Sequence, residues 1–153
     1  MFEKTLLSNL IYNEDFTRKT LPFIKPDFFR NKDEVTLFNI INAFVVKYNN
    51  LPTKEAIEIE LSNNKTLTED EYKNTKSLLN SLQHEEVEQQ WLLDTTEKFC
   101  KDRAVYNAVL QGIKIIDGKD KKHTPEAIPS ILSQALGVSF DRHIGHDYLA
   151  QTD

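Results

Sequence analysis

The stretch "KDRAVYNAVLQGIKIID", Lys101 to Asp117, decides the fold. On a wheel advancing about 100° per residue, Arg103, Asn107, Gln111 and Lys114 gather into one narrow sector. Most of the remaining circumference is apolar: Ala104, Val105, Tyr106, Ala108, Val109, Leu110, Ile113, Ile115 and Ile116, with Asp102 the main interruption. That arc covers roughly two thirds of the wheel, whereas a helix resting on one surface needs little more than about 100°. More than one partner must cover it. A following helix carrying Ile128, Ile131, Leu132, Ala135 and Leu136 can take one side. The other side meets either the rest of the chain or another molecule. The second is favoured, because a hairpin placed after a globular head would otherwise expose a contiguous apolar patch.

Outward from this stretch the chain reads as helical throughout. Four glycines and five prolines in 153 residues leave too few turns for an all-β chain. Leu6, Leu7, Leu10 and Ile11 open a first short helix, and "LPFIKPDFF" makes a compact connection anchored by Phe23, Ile24, Phe28 and Phe29. Val35, Phe38, Ile41, Val45 and Tyr48 fall three or four apart, a stripe that requires a core. Thr68 and Glu71 fit a capping box that starts the helix bearing Tyr72, Leu78, Leu79 and Leu82. The longest helix is expected over Glu86 to Asp117, broken at Gly118. Thr124 and Pro125 can restart the chain, and Gly137 can end the last helix as a C-terminal cap. The fold class is all-α: a small helical head over 1–83, then a hairpin over 84–137 made of a long helix, a turn and a shorter antiparallel helix.

Composition narrows the function. The chain is 39% hydrophobic and 28% charged, as globular proteins are. Its lone Cys100 rules out a disulfide framework and points to an intracellular, reducing setting. No apolar run approaches about 18 residues, so no membrane span is expected. A formal net charge of −5 opposes strong binding of nucleic acid. Lys119, Lys121 and Lys122, in the turn between the hairpin helices, could still touch DNA phosphates.

Two motifs invite chemistry and fail on spacing or context. "GIKIIDGKD" puts five residues between Gly112 and Gly118 and an aspartate where a phosphate loop needs a hydroxyl. His143, His146 and Asp147 have metal-ligand chemistry but sit beside Gly145, with no following element to hold them rigid. No catalytic, metal or cofactor residue is expected.

"WLLDTTEKFCKDRAVYNAVLQGIKII", followed by "AIPSILSQALGVSFDRHIGHDY", resembles the amino-terminal portion of DnaB-type replicative DNA helicases of large tailed, myovirus-like phages. "LLSNLIYNEDF" and "LPTKEAIEIEL" fit the same region, so the resemblance spans the chain. It implies a head and hairpin whose copies pair as the collar of a hexameric ring, where primase is engaged. It also implies a separate ATPase domain that uses ATP and magnesium and pulls single-stranded DNA, in the cytoplasm of the infected bacterium. Residues 138–153 would then begin the linker to that motor, with Phe140, Gly145, His146, Asp147 and Tyr148 as linker positions. The expected subunit or partner interface is Trp91, Val105, Val109, Ile113 and Ile116 with Ile131, Leu132 and Leu136; Trp91 fits a core filler equally well. A free-standing helical adaptor of a replication complex is the alternative.

Overall fold

The computed structural model describes residues 1–140, and the regular structure among them is entirely helical. The first short helix expected from Leu6, Leu7, Leu10 and Ile11 is α1 (Phe2–Tyr12), and a second, α2 (Glu14–Thr20), follows it. Asn13 divides them. Its extended backbone stops α1, and its Oδ1 accepts the Phe16 N–H at 3.2 Å, capping α2. Glu14 and Asp15 in the first turn of α2, with Arg18 and Lys19 in the last, complement the helix dipole. The buried Thr17 hydroxyl donates back to the Leu10 carbonyl at 3.1 Å, which fixes the corner.

The proline-rich connection forms two 3-10 turns, Leu21–Phe23 and Pro26–Phe28. Ile24, Phe28 and Phe29 are buried there, whereas Phe23 is only half-buried. Phe29 lies 5.2 Å from Phe38 of α3 (Lys32–Tyr48), the helix against which α1, α4 (Lys54–Ser62) and α5 (Glu69–Ser81) pack. The stripe expected on α3 is corrected in two ways. Leu37 joins Phe38 and Ile41 in the core, while Val35 and Val45 are half-buried and Tyr48 is exposed. The last turn overruns the core, and Tyr48 lies against Phe44 (4.7 Å) and Lys47 instead. Asn49 reverses the chain at φ 55°, a conformation asparagine tolerates. Arg18 clamps it, donating to Asn49 Oδ1 and to its carbonyl oxygen at 2.9 and 3.0 Å.

At the start of α5 the capping box is complete. Thr68 Oγ1 accepts the Glu71 N–H at 3.1 Å, and Glu71 Oε1 accepts the Thr68 N–H at 2.9 Å. Leu79 and Leu82 are fully buried, and residues 82–88 carry no regular structure. Residues 1–89 make one compact unit, and a second begins at Gln90.

In the second unit α6 (Gln89–Ile116) ends at a turn in which Gly118 takes φ 76°. A 3-10 turn, Pro125–Ala127, leads into α7 (Ile128–Leu136), whose Pro129 sits in the first turn and so sacrifices no helical hydrogen bond. Gly137 ends α7 at φ −83° rather than in the left-handed region expected of a glycine cap. Its N–H reaches the Ser133 and Gln134 carbonyls directly, so the helix closes without that reversal. No helix among the described residues is long and apolar enough to cross a membrane.

Candidate assembly surface on the long helix

The C-terminal half of α6 has three sides. Ala108, Gly112 and Ile115 are buried. Of the polar sector, Arg103, Asn107 and Gln111 are half-buried and Lys114 is exposed. Tyr106, Val109, Leu110, Ile113 and Ile116 make the third side, and they are 40–70% exposed. Apolar residues spaced three and four apart thus share one face, with each side chain leaning over the preceding turn to its neighbour. Solvent meets the aliphatic side more than it meets the guanidinium and amide groups of Arg103, Asn107 and Gln111, while the Lys114 ammonium at the end of that sector stays in water.

The path of α7 explains which side is covered. A Cβ at Gly112 would lie 3.7 Å from Ile128 Cγ2, an ordinary van der Waals distance, so the start of α7 packs over this side of α6. At the other end Glu97 takes hydrogen bonds from Ser139 Oγ (3.4 Å) and the Phe140 N–H (2.6 Å). The contacts step backward along α6 as they step forward along the returning segment, which is antiparallel pairing. Ala135, between these contacts, is buried. Covering the Gly112 side leaves the Val109–Ile113 side open.

Of the eight positions expected at the interface, none is fully buried. Trp91, Val109, Ile113, Ile116 and Leu136 are exposed, and Val105, Ile131 and Leu132 are half-buried. Tyr106 and Leu110 lie on the same face as Val109 and Ile113 and belong with them; both stood in the apolar arc of the wheel. Phe140, expected in the linker, is 5% exposed and tied to Glu97. Gly145, His146, Asp147 and Tyr148, together with His143, lie outside the described residues.

Groups that could carry other chemistry are dispersed. Among the described residues, no three His, Cys, Asp or Glu side chains converge to hold a metal ion. Burial pushes the Cys100 thiol up to about 12, with the Glu97 charge adding to it, which keeps the sulfur protonated and unreactive at neutral pH. A polar groove of about 300 Å³ in the first unit is lined by Lys4, Ser8, Tyr12, Ser81, His84 and Glu85, among others. The Tyr12 and His84 rings meet edge-on there, their centroids 5.7 Å apart.

Fold and surface together define an all-helical chain whose terminal hairpin leaves an apolar side in solvent. No family model matches it. The chain is similar to the DnaB-like replicative helicase of Enterobacteria phage T4, with 32% identity over 152 residues, covering 94% of this chain and 32% of that helicase. The resemblance to DnaB-type phage helicases therefore holds across nearly the whole chain, which spans about a third of the length of the curated relative it matches.

Proposed function

We propose that the chain acts in phage DNA replication as the amino-terminal assembly and docking portion of a DnaB-type helicase. The open aliphatic side of α6, Val109 and Ile113 at its centre, carries this reading, because solvent contact costs free energy that a second protein surface would remove. Similarity to the phage T4 helicase over 94% of the chain supports it.

In this reading hairpins of neighbouring copies cover one another and hold subunits of a hexameric ring in register, forming a collar that engages primase. ATP, magnesium and single-stranded DNA belong to a motor domain elsewhere in the helicase, and the present chain contributes no catalytic group. Its setting is the cytoplasm of the infected bacterium. Titrating the primase of the same replication system against this chain tests the docking half. Saturable binding, weakened at least tenfold by Val109→Asp with Ile113→Asp or by charge reversal on the head, supports it; no binding at any concentration overturns it.

A further inference from the structure

The turn between α6 and α7 is built to present positive charge. Lys114, Lys119, Lys121 and Lys122 fall close together in sequence, with Asp117 and Asp120 the intervening acids. Asp120 is turned inward. Its side chain is only 16% exposed, and its carboxylate accepts the N–H groups of Lys122 (2.9 Å) and His123 (3.2 Å), approaches His123 Nδ1 at 3.0 Å, and bonds the Gln111 side chain. The backbone is pinned as well: the Lys119 and Asp120 amides both donate to the Lys114 carbonyl, at 2.9 and 3.1 Å, around Gly118. Lys119, Lys121 and Lys122 are exposed, and none makes an ion pair among the described residues. Asp117 and Glu126 are the exposed acids of the segment between α6 and α7, against the four lysines.

We propose that this turn is a contact site for the phosphodiester backbone of nucleic acid. The overall charge of −5 does not forbid it, since at about 0.1 M salt charges more than about 10 Å away are largely screened and the local balance governs. The turn offers ammonium groups and no stacking ring beyond His123, so it reads charge and not sequence. Choosing nucleic acid over an acidic protein surface rests on the replication reading above.

The test is fluorescence anisotropy of a labelled oligothymidylate and of a duplex of equal length, with the wild-type chain and the triple variant Lys119→Ala, Lys121→Ala, Lys122→Ala. Expected is at least a tenfold loss of affinity in the variant at low salt. The slope of log K against log salt should shrink by about 2 for the single strand or about 3 for the duplex, as three lost phosphate contacts require. The stronger arm names the form bound. Replacing all three lysines by arginine should retain binding, and circular dichroism should show both variants folded. No binding by the wild type, equal binding by the alanine variant, or equal competition by polyglutamate of matched charge overturns the proposal. Measuring the mass of the alanine variant in solution separates this from the assembly reading, because losing the lysines leaves the apolar side of α6 intact.

Discussion

The backbone N–H of Phe140 donates a 2.6 Å hydrogen bond to Glu97 Oε2, so the segment after α7 is fastened to the N-terminal third of α6 by a charged acceptor. Ser139 Oγ adds a second bond to the same oxygen at 3.4 Å. Hydrogen bonds to charged groups contribute about 1.5–3 kcal/mol, and the half-buried position of Glu97 places it at the low end. Glu97→Ala should lower the unfolding free energy by about 1–2 kcal/mol and speed amide exchange at Phe140. Glu97→Gln, which keeps an acceptor oxygen, should restore part of both. Unchanged exchange at Phe140 in the alanine variant would contradict the contact.

The two glycines of the hairpin should respond in opposite directions. Gly112 is helical, and an added Cβ meets only Ile128 Cγ2 at 3.7 Å. Gly112→Ala should therefore stabilise by about 0.5–1 kcal/mol through helix propensity. Gly118 stands at φ 76°, where a Cβ is strained although no atom lies within 4 Å. Gly118→Ala should destabilise by about 1 kcal/mol. Urea unfolding of both variants checks the signs.

Thr96 is fully buried on α6, and its hydroxyl has no hydrogen-bond partner among the described residues. Thr96→Val keeps the shape and removes the unsatisfied group. Stability should rise by about 1 kcal/mol. A loss of similar size would mean the hydroxyl is satisfied in solution.

Asp120 gives the hairpin turn an acid dependence. The Lys122 N–H, then the His123 and Gln111 side chains, hold its carboxyl below the usual aspartate value. A depressed folded-state pKa means that ionised Asp120 supports the turn above the unfolded value, about 3.9, and that this support disappears as pH falls through the lower folded value. Carbon NMR of the Asp120 carboxyl should therefore titrate below ordinary aspartate, with faster exchange at the Lys122 and His123 amides under acid. A midpoint at or above the ordinary value would contradict the turn geometry. Asp120→Asn should loosen those amides already at neutral pH.

Local chemistry made much of this legible from residues alone. Thr68 and Glu71 specify their capping box within four residues, and Gly118 marks the end of α6 because only the turn needs its left-handed backbone. The start of α2 was present as an asparagine followed by Glu14 and Asp15, yet the apolar spacing that marks α1 stops at Ile11 and says nothing of it. Tyr48 and Gly137 misled for a different reason. Periodicity says which residues share a face, but not where the core stops beneath that face or whether a helix needs a left-handed exit. On α6 the excess of apolar residues was plain from the wheel. Which side stays open was not, since that depends on where Ile128 packs over Gly112 and on Glu97 fastening Phe140.

Sedimentation equilibrium across a wide concentration range tests the central claim, that the Val109–Ile113 side of α6 is covered by another copy. The wild-type chain should rise above its monomer mass of 17.8 kDa as concentration increases, and Val109→Asp with Ile113→Asp should hold it there while preserving helicity. A wild-type chain at monomer mass throughout, or a double variant that associates as strongly, would contradict it.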